Sequence, residues 1–185
     1  RNPGDSVQKQ IEKVVDDEAL PSFITIALIL FSTFIAWLPV LFHTPPIYLA
    51  IILTLISLVW IPFSVYKIVR AVKKVQPLKM ARDGEKTIAE YLEELRADGC
   101  HILHDLPGKN FNIDHIIVST RGIFAVETKT RSKSTEKDEI VVFNGQTIKI
   151  GDFETLDITK QAEAERVSLK KIIEEATGKT SPVKS

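Results

Sequence analysis

Asp114, Glu127 and Lys129 are the residues whose types and spacing could do chemistry in this chain. They lie in Phe111-Asn-Ile-Asp-His-Ile-Ile-Val-Ser-Thr-Arg-Gly-Ile-Phe-Ala-Val-Glu-Thr-Lys129, which reads as two β-strands joined by a turn at Thr120-Arg121-Gly122. Antiparallel pairing sets the start of one strand near the end of the next, so Asp114 comes beside Glu127 or Lys129. The second strand is expected over Ile123–Thr130. Alternation there points Glu127 and Lys129 to one side with Ile123 and Ala125, and leaves Phe124, Val126 and Thr128 to line the other, buried face. Two carboxylates that close repel unless a cation lies between them. Oxygen ligands favour Mg²⁺ or Mn²⁺. Asp114 and Glu127 would hold the metal, together with a backbone carbonyl such as that of Thr128. The metal would polarise a phosphate and generate hydroxide, and Lys129 would orient or deprotonate the attacking water or neutralise developing charge. That is phosphodiester hydrolysis. The competing reading is a surface strand with a cross-strand ion pair, because an acid-x-Lys triplet arises about once by chance in a chain of this size.

The flanking elements must hold these residues. A helix is expected to open at Asp83-Gly84-Glu85, with Ile88, Tyr91, Leu92 and Leu95 at helical spacing and Gly99 as its stop. Strands over Cys100–Leu106 and Asn112–Ser119 flank a turn at Pro107-Gly108-Lys109-Asn110, and Arg131–Asp138 reads as a polar loop. Glu139–Phe143 and Gln146–Ile150 spell a hairpin about Asn144-Gly145, a pair suited to a type I′ turn. A helix over Ile158–Ala176 follows, with Ala162, Val167, Leu169, Ile172 and Ile173 as its apolar stripe and Gly178 as its end. Helix, three strands, hairpin and helix make an α/β unit whose mixed sheet is flanked by helices.

The chain also resembles a known family. Gly84-Glu85, Asn112-Ile-Asp-His-Ile-Ile-Val118, Gly122-Ile-Phe-Ala-Val-Glu-Thr-Lys129, Asn144-Gly145-Gln146 and Gln161-Ala162 look like the nuclease-related domain (NERD) family over roughly residues 80–180. That family is placed in the PD-(D/E)xK phosphodiesterase superfamily, with a restriction-endonuclease-like core. The resemblance implies Asp114, Glu127 and Lys129 as the catalytic set. It adds Glu85 as a further metal-site acid and Gln161 as an active-site neighbour. Ile113 stands where the superfamily's name has Pro, and a final core strand is expected from about Val183. The superfamily includes members that bind without turnover.

Charge is partitioned sharply along the chain. The 24 basic and 24 acidic residues cancel, yet none lies between Ala19 and Tyr66. Pro21–Phe42 and Ile47–Val69 are each long enough to cross a bilayer, which takes roughly 20 apolar residues. His43-Thr-Pro-Pro46 is a tight turn between them, so residues 19–69 read as a transmembrane hairpin. Lys67, Arg70, Lys73, Lys74, Lys79 and Arg82 follow the second span, whereas the turn has no cation. The positive-inside rule therefore places both termini in the cytoplasm. Trp37, Trp60 and Tyr66 are candidate interfacial aromatics, and Pro39 and Pro62 candidate kinks. The domain organisation expected is an N-terminal cytosolic segment (1–18), the hairpin (19–69), a basic juxtamembrane linker (70–82) and the NERD-like domain (83–185). The start at Arg1 and the end near the expected last strand suggest a fragment.

Other signals carry less. Lone Cys100 fits a reducing compartment and no disulfide. His115 faces away from Asp114 by alternation, and His101 and His104 sit on opposite faces of one strand. Gly178-Lys-Thr180 lacks the glycine and preceding strand of a phosphate-binding loop. Arg131, Lys133 and Lys137 could follow a nucleic-acid backbone, but Glu136, Asp138 and Glu139 dilute them. The function expected is a membrane-anchored, Mg²⁺- or Mn²⁺-dependent nuclease acting on DNA or RNA at the cytosolic face. The alternative is a catalytically silent, membrane-tethered nucleic-acid-binding or scaffold module of the same fold. Oligomeric state is not legible.

Overall fold

A computed structural model describes residues 1–42, 47–108, 111–131, 140–145, 147–150, 153–155 and 157–185. The expected turn at His43–Pro46 and the residues Lys109, Asn110, Lys133, Lys137 and Gln146 lie outside the described residues. The chain divides into two compact units: Lys9–Leu78, and Arg1–Gln8 with Lys79–Ser185.

The first unit is helical. A short helix α1 (Asp5–Val14) passes through one π turn (Val15–Ala19) into α2 (Leu20–Leu41), and α3 runs over Ile47–Glu94. Two helical runs, Asp5–Leu41 and Ile47–Asp98, are long and apolar enough to cross a membrane. Their most apolar windows are only 6% and 17% buried, which a core helix of a soluble protein would not show. The helices approach through small buried residues, among them Ser22, Ala36, Ala50, Ser57 and Ser64. The indole N–H of Trp37 donates to Thr54 Oγ1 at 3.0 Å, which gives a polar group among apolar side chains its acceptor. Pro39, Pro62 and Pro77 all lie inside helices, and none ends its helix.

The helix expected to open at Asp83-Gly84 does not start there. α3 continues through that dipeptide to Glu94 and ends in a 3₁₀ turn at Leu95–Asp98. Gly84 has a different task. A Cβ on it would sit 1.8 Å from Thr130 Oγ1, so the missing side chain lets the segment after β3 press against α3.

The second unit is built on a four-stranded mixed sheet in the order β1 (His101–Pro107), β2 (Asn112–Ser119), β3 (Gly122–Val126), β7 (Val183–Lys184). β1, β2 and β3 are antiparallel neighbours, and β7 joins β3 in parallel. β4 (Val141–Phe143), β5 (Ile148–Ile150) and β6 (Phe153–Thr155) form a separate three-stranded sheet, whose last strand the sequence reading lacked. Phe143 pairs with Ile148, leaving a four-residue connection instead of a type I′ turn. Gly145 there has a left-handed φ, +92°, and Asn144 Oδ1 accepts the Thr147 N–H at 2.7 Å.

Helix α4 (Asp157–Thr177) packs on β2, β3 and β7. Ile113, Ile116, Ala125, Leu169 and Val183 form the buried core beneath it, with Ile123 and Ile172 against them. This reverses the expected facing of β3. The face of Ile123 and Ala125, which Glu127 continues, is the packed one, because α4 covers it, whereas Phe124 and Val126 stay half-exposed. Strand alternation alone cannot say which face a distant helix will cover. Leu169 is 3% exposed at the centre of this packing. Leu169→Ala is expected to destabilise the domain by about 2–5 kcal/mol, read from urea-induced unfolding of the whole chain in detergent by near-UV circular dichroism.

Candidate metal centre

The register of β2 and β3 positions the first two acids. His115 pairs with Val126, and the same register carried one step further sets Asp114 opposite Glu127. β3 ends at Val126, short of the expected Thr130, so Glu127, Thr128 and Lys129 leave the sheet. Their backbone is fastened instead by Asp114, whose Oδ2 accepts the Thr128 N–H at 2.9 Å. Lys129 Nζ lies 2.7 Å from Glu127 Oε1; the Glu127 side chain is 3% exposed and that of Lys129 45%. The pair thus joins a buried carboxylate to a solvated ammonium.

A third acid arrives from α4. Glu165 is fully buried, and one carboxylate oxygen from each of Asp114, Glu127 and Glu165 lies within 4.8 Å of the other two. Among the described residues, Glu127 Oε2 and both Glu165 oxygens have no hydrogen-bond partner. Such orphaned buried acceptors cost free energy unless a proton or a cation serves them. The donor set, three carboxylates with free oxygens, fits a hard divalent cation.

Electrostatics follows from this crowding. Burial, and then the charge of Glu127, push Asp114 up to about 7. Glu165 is driven far above the ordinary carboxylate range, first by burial and then by the approach of Glu127 and the charge of Asp114. Gln161, one turn earlier on α4, offsets part of this. Without a cation, Glu165 is therefore the member of the group that holds a proton most tightly.

Glu85 stands at the edge of the site, outside the group of three. It is 8% exposed, the Gly4 N–H serves its carboxylate, and burial followed by the charges of Asp105 and Glu127 push it up to about 7. Glu127 and Lys129, but not Asp114 or Glu165, line a cleft of ≈ 940 Å³ whose opposite wall is Asp83 and Thr87 of α3. A second cleft of ≈ 940 Å³, between the N-terminal residues and β1, contains none of the three acids.

On the far side of β2, His115 is fully buried, as alternation required. His104 joins it, Nδ1 to Nδ1 at 2.8 Å, and Glu93 Oε1 meets His104 Nε2 at 2.8 Å. Burial holds His115 down to about 4, so this histidine is neutral at physiological pH. Cys100 is half-buried and unpaired.

The family model described as the nuclease-related domain matches residues 81–185. The chain belongs to that family. No curated protein and no solved structure matches it. A NERD domain implies a divalent metal in general, and the cluster of Asp114, Glu127 and Glu165 supplies an acidic group suited to one. Of the residues singled out from sequence, the NERD domain brings Asp114, Glu127 and Lys129 together, sets Gln161 beside Glu165 and leaves Glu85 at the rim. Glu165 escaped the sequence reading. Its signal was available as Gln161-x-x-x-Glu165, since residues four apart share a helix face.

Two predictions follow from the raised acids. Asp114, Glu85 and Glu165 bind protons more tightly in the folded chain than in the unfolded one. In EDTA, the contribution of each is full below the unfolded carboxylate range near pH 4; that of Asp114 and Glu85 is lost as pH rises through about 7, and that of Glu165 at higher pH still. The unfolding midpoint in EDTA should fall between pH 5 and pH 8, and Mg²⁺ or Mn²⁺ should raise it more at pH 8 than at pH 5, measured by scanning calorimetry. Glu165→Gln should flatten that slope. Gly84→Ala should displace Thr130, lowering thermal stability and weakening Mn²⁺ binding measured by titration calorimetry; unchanged Mn²⁺ affinity would show that Gly84 matters to packing alone.

Proposed function

We propose that this NERD domain is a divalent-metal-dependent nuclease, held at the membrane by α2 and α3 with both chain termini on the cytosolic side. The observation that carries the enzymatic part is the close trio of Asp114, Glu127 and Glu165, with buried oxygens of Glu127 and Glu165 left unpartnered, beside the ammonium of Lys129. A single ion pair on a surface strand has no need of the third, buried acid, so the trio favours chemistry over that alternative.

Asp114, Glu127 and Glu165 would hold the ion, Mg²⁺ or Mn²⁺, with the Thr128 carbonyl as a further oxygen donor and Glu85 at the rim. Bound there, the ion would polarise a phosphate oxygen and lower the pKa of water. The chain's own residues do the rest. Asp114 fixes the Thr128 backbone, so Glu127 and Lys129 are presented on a held segment rather than a free loop. Glu127 draws Lys129 towards the buried acids, where its ammonium can orient the attacking water or balance charge on the phosphate. Gln161, one turn before Glu165 on α4, favours the charged form of that carboxyl, the form that would hold an ion. The substrate is a DNA or RNA phosphodiester entering the cleft between Glu127–Arg131 and α3.

The anchoring part rests on two helical runs long and apolar enough to span, with almost fully exposed apolar faces, and on the cations after the second of them. The whole chain in nanodiscs should cut labelled single- or double-stranded DNA or RNA with Mg²⁺ or Mn²⁺ and not with EDTA. Asp114→Asn, Glu127→Gln and Lys129→Ala should each reduce the rate by at least about a hundredfold while circular dichroism stays unchanged. A folded wild-type chain that binds these nucleic acids without cutting them would instead identify a binding module.

A further inference from the structure

The helical unit carries a pocket that the nuclease chemistry does not use. A cleft of ≈ 390 Å³ lies between the start of α2 and one face of α3. Along α3 its lining changes character in a set order. Trp60 and Phe63 come first, Tyr66 and Lys67 next, then Arg70 and Lys74. Positions 60, 63, 67, 70 and 74 are three or four apart, so these side chains share one helical face. Across the cleft stand Asp17, Glu18 and Ser22. Ser22 and Ser64 are buried, at 5% and 3% exposed, so small side chains close the base of the pocket.

The charges are not balanced within it. Lys74 is paired with Glu18. Lys67 Nζ lies 4.8 Å from the centre of the Phe63 ring and has no carboxylate partner among the described residues. Arg70 has neither an ion pair nor a hydrogen bond among them. Asp17 is the remaining acid, so three cations face two carboxylates and the pocket carries a net positive charge. The pocket also sits where the uncharged run of the chain ends, at Tyr66-Lys67 on α3 and at Glu18–Pro21 before α2. That is the depth of the phosphate layer for a helix pair that spans a bilayer.

We propose that this pocket binds the headgroup of an anionic phospholipid, with its phosphodiester oxygens on Arg70 and Lys67 and its acyl chains along the apolar faces below Trp60 and Phe63. A guanidinium and an ammonium on neighbouring turns suit a phosphate, the first by paired N–H donors and the second as a point charge. The aromatic lip suits the glycerol and upper acyl region, where Trp and Tyr concentrate. A water-soluble phosphate would leave that lip unused. A choline headgroup would bring its own cation to a pocket already rich in cations. The inference rests on the membrane reading of α2 and α3, and is independent of nuclease activity.

The test uses the whole chain in vesicles. With Trp37→Phe, Trp60 is the remaining tryptophan, since the chain has two. Its emission is followed as phosphatidylglycerol or phosphatidylcholine with brominated acyl chains replaces the unbrominated lipid at equal mole fraction. Brominated phosphatidylglycerol should quench Trp60 at lower mole fraction than brominated phosphatidylcholine. Lys67→Ala and Arg70→Ala should each lower that preference by well over the roughly fivefold that one juxtamembrane cation contributes at a diffuse anionic surface. Lys73→Ala and Lys79→Ala, which remove the same charge outside the pocket, should lower it by no more than that roughly fivefold. Equal quenching by the two lipids, or equal loss in all four variants, overturns a built site and leaves only diffuse attraction to an anionic surface. Loss of the preference on adding millimolar glycerol 3-phosphate shows that the pocket takes a soluble phosphate, which also overturns the proposal. Protein that does not float with vesicles of either composition overturns the membrane reading itself, and this outcome is distinct because no quenching is then seen with either lipid.

Discussion

Three carboxylates in one buried corner are the constraint to which the rest of the NERD domain answers. Unit charges separated by about 4–5 Å repel by roughly 3–4 kcal/mol at the effective dielectric of a protein. That is a large fraction of a domain's net stability. Asp114, Glu127 and Glu165 are nonetheless held within 4.8 Å by elements that have no slack: the β2–β3 register, the Asp114–Thr128 hydrogen bond and the packing of α4. A proton on Glu165 relieves the repulsion at one extreme, and a divalent cation would relieve it at the other.

The same helix supplies the core and the site. Leu169 lies four residues after Glu165 on α4, so one face of that helix buries an apolar anchor and a carboxylate side by side. Core packing therefore sets the position of the third acid to within side-chain reach. α3 contributes differently. Gly84 gives up a side chain so that Thr130 can lie against the helix, and this fixes the path of the chain just beyond Lys129. On the other face of β2, Glu93, His104 and His115 form a hydrogen-bonded chain in which burial keeps His115 neutral, so the two sides of one strand carry different kinds of polar chemistry.

The helical unit obeys the reverse partition. Its large apolar side chains point outward, and its small and hydroxyl residues point inward, where serine, alanine and the Trp37–Thr54 hydrogen bond join the helices. Threonine hydroxyls at 25, 33 and 54 donate to the carbonyl four residues back, which satisfies them within their own helices. The charged residues gather where this pattern stops. The long α3 carries both regimes in one uninterrupted helix, because neither Pro77 nor Gly84 removes enough backbone bonding to end it.

The sequence by itself determined the membrane-length apolar runs, the α/β class, the strands over 101–107 and 112–119 to within a residue, and the meeting of Asp114 with Glu127. These are properties of local hydrophobic periodicity and of one short antiparallel turn, which act over a few residues. Glu165 shares a helix face with Gln161 in the sequence, but its meeting with Asp114 and Glu127 spans a separation that only the docking of α4 on the sheet closes. The buried face of β3 was not legible, because Phe124-Ala125-Val126 are apolar on both sides and only the covering helix chooses between them. The four-residue loop at Asn144–Thr147 and the unbroken α3 were decided the same way. A side chain from elsewhere, Thr130 against Gly84, or a local bond, Asn144 to Thr147, outweighed the intrinsic preference of the dipeptide. Local pattern specified the elements; the choice of which faces meet belonged to the packing.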